Sequence, residues 1–149
     1  MKRLQTAVFA IFVFLLCLSP AVASPRQEVL PGPLTGAVLS ILDGDTVSVR
    51  LKIWIGQELE TSVRIAGIDT PEMKGKCAKE TALAIEARNE VQHLLKDGSI
   101  VLSTIKLEKY AGRVLAHAAT VDGVSIADHL IGKGLARPYA GKKRAGWCS

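Results

Sequence analysis

Apolar and polar residues alternate along "DTVSVRLKI", where Val47, Val49, Leu51 and Ile53 take every second position. A period of two puts them on one face of a half-buried strand. Asp43-Gly44 separates this run from "LTGAVLSIL", and Gly56-Gln57 separates it from "ELETSVRIAGI". An Asp-Gly between apolar runs is a hairpin signal, so three strands in a meander are expected, the third reaching about Ile68. From Ala78 to Lys96 the period lengthens. Leu83, Ala84, Ala87, Val91, Leu94 and Leu95 share one helical stripe, and Asp97-Gly98 supplies the stop. "SIVLSTI" reads as a fourth strand, "RVLAHAATV" as a fifth, and "SIADHLIGKG" as a short helix ending at Gly134. Five strands with a helix between the third and fourth predict a mainly β, α+β domain: an OB-fold five-stranded barrel with two packed helices.

The N-terminus breaks this pattern. Lys2 and Arg3 precede "AVFAIFVFLLCL" and then "SPAVAS". A basic start, an apolar run and an Ala-x-Ala site describe a signal peptide, residues 1–23, with cleavage expected after Ala23. The run falls short of the roughly 20 apolar residues that span a bilayer. Export to the periplasm or medium is therefore expected, without stable membrane association and as a monomer. The Pro-rich "SPRQEVLPGP", residues 24–33, reads as a flexible lead-in, and residues 34–149 as one domain. Loss of Lys2 and Arg3 lowers the net charge from +5 to +3. That mild excess suits a polyanionic partner without requiring one. The cations of "RPYAGKKRAG" read equally well as solvated surface. Cys17 leaves with the leader, and the remaining Cys77 and Cys148 point to a disulfide in an exported chain.

The chemistry concentrates in "VRIAGIDTPE", residues 63–72. Asp45 opens the second strand and Asp69 ends the third, so a meander brings these strand ends together. Adjacent carboxylates repel unless a cation or proton lies between them. Thr70 precedes Pro71, which fixes the direction of its carbonyl. Two carboxylates and a carbonyl make an all-oxygen set suited to Ca²⁺ or Mg²⁺. "DGDT" alone reads more simply as a turn, with Asp69 as a cap. Arg64 sits in an apolar strand, where a cation needs a partner. Strict alternation would turn it away from Asp69, and a bulge at Gly67 would reset the phase. Glu72 supplies a further carboxylate, and Arg113 opens the fifth strand after Gly112. Two arginines, a metal and a carboxylate form a set that suits phosphodiester hydrolysis.

"ILDGDTVSV", "VRIAGIDTPE", "KYAGR" followed by "VLA", and "LIGKGLARPY" stand in the order of the thermonuclease family, which the chain resembles from about Leu34 to Tyr139. The resemblance implies Ca²⁺-dependent cleavage of DNA and RNA to 3′-phosphate ends. It implies Asp45, Asp69 and the Thr70 carbonyl as calcium ligands, with Asp43 as an acid behind them. Glu72 resembles the general base, and Arg64 and Arg113 the arginines that hold the phosphate. Lys109 and Tyr110 match a nucleotide-contacting pair, and Tyr139 lies close to a base-stacking position. Three departures stand out: the extra Ala111 before Gly112-Arg113, the short "MKGKCAKE" after Glu72, and little chain beyond Tyr139. A Cys77–Cys148 bridge would compensate for a shortened last helix.

A non-catalytic OB-fold module that grips single strands is the alternative, and a secreted adaptor with structural calcium a third reading. His93, His117 and His129 lack spaced partners and are expected to be structural or exposed. Trp54 is expected in the core, and Trp147 as a tail anchor.

Overall fold

The computed structural model describes residues 28–108 and 112–148. The proposed leader and the pair Lys109–Tyr110 lie outside the described residues. In chain order the strands are β1 (Val29–Leu30), β2 (Leu34–Asp43), β3 (Thr46–Trp54), β4 (Gln57–Ile65) and β5 (Ile68–Asp69). Helix α1 (Ala78–Leu94) follows, then β6 (Ser99–Leu107), β7 (Arg113–Ala119), helix α2 (Ile126–Gly132) and β8 (Arg137–Pro138).

β2, β3 and β4 form the expected antiparallel meander, with Val38 opposite Val49 and Thr46 opposite Arg64. β6 pairs with β2, and β7 pairs with both β6 and β4, the last contact being parallel. The sheet thus closes on itself, which removes the unpaired edges an open sheet would carry. This is the OB-fold barrel of five strands with two helices. Alternation decides what lies inside: Val47, Val49, Leu51, Val63 and Ile65 are buried. Ala84, Ala87 and Val91 of α1 lie fully buried, and Ile126 and Leu130 of α2 likewise. Ser125 caps α2 by accepting the Asp128 N–H at 3.2 Å, which meets one of the first-turn donors.

Three expectations change. The third strand does not run on to Ile68 through a bulge. β4 ends at Ile65, Ala66 and Gly67 turn with φ +84° at Gly67, and β5 pairs with β8 as a separate ribbon. Part of the expected lead-in is paired, since Val29 and Leu30 lie opposite Lys106 and Ile105, and the Thr104 N–H donates to the Pro31 carbonyl at 2.8 Å. Trp54 is 70% exposed, because the β3–β4 hairpin carries it past the end of the barrel. Cys77 and Cys148 are disulfide-bonded with Cα atoms 5.9 Å apart. Among the described residues no helix is long and apolar enough to cross a membrane.

Candidate active site

The site is built at one end of the meander. The β2–β3 turn presses against α1, and a Cβ on Gly44 would lie 2.8 Å from the Ala87 Cβ and 3.2 Å from Thr70. Only glycine lets the turn come this close. Asp43 accepts the Gly44 N–H at 2.8 Å, and Asp45 then points inward, 3% exposed. Its carboxylate accepts from Arg64 Nη1 at 2.7 Å, from Thr46 Oγ1 at 2.9 Å and from the Thr70 N–H at 3.4 Å. These donors offset the cost of burying the charge. Arg64 reaches Asp45 because it lies across the ladder from Thr46, and its Nη2 sits 3.5 Å from the Ile68 carbonyl.

The turn at Gly67 resets the chain after Arg64, so that Asp69 and Thr70, 3% and 1% exposed, enter the same cluster. Glu72 follows at the surface. Arg113 opens β7 and donates to the Glu108 carboxylate, while the Glu108 N–H donates to the Arg113 carbonyl at 3.1 Å. Asp43, Asp45, Arg64, Glu72, Arg113 and Tyr139 line one cavity of about 350 Å³, together with Glu108 and Arg144. Tyr139 is set there by its N–H, which donates to the Gly67 carbonyl at 2.8 Å.

Arg144 places each guanidinium nitrogen on a different oxygen: Nε on the Asp69 carboxylate, Nη1 on the Glu72 carboxylate, and Nη2 on the Thr70 carbonyl at 3.1 Å. Trp147, buried, donates its indole N–H to Asp69 Oδ2 at 3.3 Å, and the Arg137 guanidinium lies 3.8 Å from its ring centroid. Trp147 is thus the tail anchor expected of it.

Five carboxylates (Asp43, Asp45, Asp69, Glu72, Glu108) face three guanidiniums (Arg64, Arg113, Arg144), so the ionised cluster carries an excess of two negative charges. Burial pushes the Asp43 carboxyl up, the Gly44 N–H opposes that, and the nearby Asp45 and Glu72 charges add to the rise. Burial works against the charge on Arg144, but its bonds to Glu72 and Asp69 outweigh it and raise the guanidinium further. Hard oxygens, dense negative charge and a cation already drawn to them fit a divalent ion held by Asp45, Asp69 and the Thr70 carbonyl.

The fold therefore gathers Asp43, Asp45, Arg64, Asp69, Thr70, Glu72, Arg113 and Tyr139 in one place. Lys109 and Tyr110 fall outside the described residues. Glu108 and Arg144 went unread in the sequence. The cation cluster after Tyr139 was visible there, but nothing in its spacing singled out Arg144. Elsewhere, His93 and His117 are exposed, and His129 of α2 bonds Glu90 of α1 at 2.7 Å.

A closed OB-fold barrel bearing a cavity of acids and arginines beside its meander defines the class. The family model of staphylococcal nuclease homologues matches residues 62–146, and the chain belongs to that family. No curated protein matches the chain.

Proposed function

We propose that this protein is an exported, calcium-dependent nuclease that hydrolyses phosphodiester bonds of DNA and RNA and leaves 3′-phosphate ends. One observation carries the reading. A single cavity sets the Glu72 carboxylate beside the guanidiniums of Arg64 and Arg113 in a chain of this nuclease-homologue family. Arg64 and Arg113 would fork onto the non-bridging phosphate oxygens and offset the charge that builds there. Glu72 is the most exposed of the acids and would orient a water and take its proton as the water oxygen attacks phosphorus. The bond from phosphorus to the 5′ oxygen breaks, and that oxygen leaves with a proton from solvent. Asp45, Asp69 and the Thr70 carbonyl would hold Ca²⁺, which when bound supplies positive charge against the phosphate. Asp43 would steady the turn that carries Asp45.

The test uses residues 24–149 produced in an oxidising compartment and incubated with single-stranded DNA. Cleavage is expected with Ca²⁺, absent with chelator, and lowered by orders of magnitude in Glu72→Gln. A folded protein that binds the DNA and leaves it intact would return the non-catalytic single-strand-binding module.

A further inference from the structure

Arg144 holds the oxygens that the proposed ion needs. Its Nε takes the Asp69 carboxylate and its Nη2 the Thr70 carbonyl at 3.1 Å. Calcium would approach such oxygens to about 2.3–2.6 Å. An ion at that distance and a guanidinium on the same lone pairs would crowd and repel each other. The third nitrogen occupies Glu72, the carboxylate proposed to handle water. A docked Arg144 therefore fills two of the three proposed ligands, Asp69 and the Thr70 carbonyl, and engages the base at once.

The tail around Arg144 is anchored to the site rather than draped over it. Cys148 is bonded to Cys77, at the start of α1. Trp147 is buried against Asp69 and Arg137, and Arg137 Nη1 donates to the Gly146 carbonyl at 2.9 Å. Residues 140–146 are themselves exposed, and the Arg144 side chain is 38% exposed. An outward swing of the side chain would leave Trp147 and Cys148 in place. A group on so short a tether meets its site at an effective concentration in the millimolar range or above.

We propose that Arg144 is a tethered competitor of the metal ion: it occupies the acid cluster when the ion is scarce, gives way when it binds, and so sets the ion concentration at which the site turns on. This rests on the reading of Asp45, Asp69 and Thr70 as metal ligands. Competition lowers the apparent affinity by the fraction of molecules with the site open. An undocked population of about a tenth weakens binding about tenfold.

Calcium titration calorimetry, without nucleic acid, tests this on the disulfide-bonded chain of residues 24–149. The proteins compared are wild type, Arg144→Gln, Arg144→Lys and Asp69→Asn. Arg144→Gln is expected to bind calcium about tenfold more tightly or better. Arg144→Lys, whose single nitrogen cannot span three oxygens, is expected between it and wild type, and it serves if the glutamine variant fails to fold. Asp69→Asn is expected to lose binding. Equal or weaker binding in the Arg144 variants, with binding lost in Asp69→Asn, overturns the competitor and leaves the nuclease reading standing. No binding by wild type or the Arg144 variants, or full binding by Asp69→Asn, overturns both.

Discussion

Asp45 is nearly as buried as the valines that follow it in β3, and three donors converge on its carboxylate, Arg64 at 2.7 Å being the charged one. Taking away one partner of a buried pair leaves the other without compensation, which costs more than the pair itself contributes. Arg64→Ala is expected to lower unfolding free energy by about 3 kcal/mol. The double variant Arg64→Ala with Asp45→Asn should recover part of that loss. Urea denaturation of wild type, single and double variants measures it, and a double variant less stable than the single would refute the pairing as the cause. The same contact explains why a cation is tolerated within an apolar strand. The phosphate role proposed for Arg64 would use a guanidinium already held in register by Asp45, next to its ladder partner Thr46.

At the scale of elements, the site depends on how closely the β2–β3 turn approaches α1. Gly44 permits that approach, with Ala87 and Thr70 as the surfaces it meets. Gly44→Ala inserts a methyl where neither neighbour is the end of a flexible side chain, and overpacking of this kind costs about 1–3 kcal/mol. The turn should be driven off the helix, carrying Asp43 and Asp45 with it. The proposed nuclease activity and calcium affinity are expected to fall further than stability does. Circular dichroism and thermal melting beside a cleavage assay would separate the two effects. The meander and α1 were legible in the sequence because period-two and helical spacing each run long enough to define a face. The ribbon of β5 and β8 was not. Each is two residues long, and the pairing of Asp69 with Arg137 joins segments that share no local pattern. The acids of the cavity were readable because they sit in compact motifs at strand ends. Arg144 was not, since its partners lie more than 70 residues upstream in a glycine-punctuated tail without period.

Across the whole molecule, the site joins the chain's early and late parts. Asp45 comes from the first hairpin, Arg113 from the strand that closes the barrel, and Arg144 from the tail. The Cys77–Cys148 bridge, with a sequence separation of 71, ties the tail to the start of α1. On the chain-entropy account a loop of that length is worth about 4 kcal/mol. Reduction is therefore expected to lower the urea midpoint by an amount that matches about 4 kcal/mol or somewhat less. Paired denaturation curves with and without a thiol reductant would show it. Coincident curves would mean that Trp147 and Arg137 hold the tail without covalent help. With the barrel closed on its own ladder, the main sheet should remain folded in the reduced protein.

The two tryptophans sit in opposite surroundings: Trp54 is 70% exposed at a hairpin tip, and Trp147 is 6% exposed with its indole N–H on Asp69. That contrast gives the protein an optical gauge of its own acid cluster. In a Trp54→Phe variant the remaining emission should be blue-shifted and resistant to acrylamide, the signature of a sheltered indole. Saturating calcium should then change its intensity, since charge arriving at Asp69 alters the field across the ring, and chelator should reverse the change. A steady signal through the same titration would show that ions bind without reaching Asp69. The light from one residue thus reports, without substrate or label, on whether the cluster is filled.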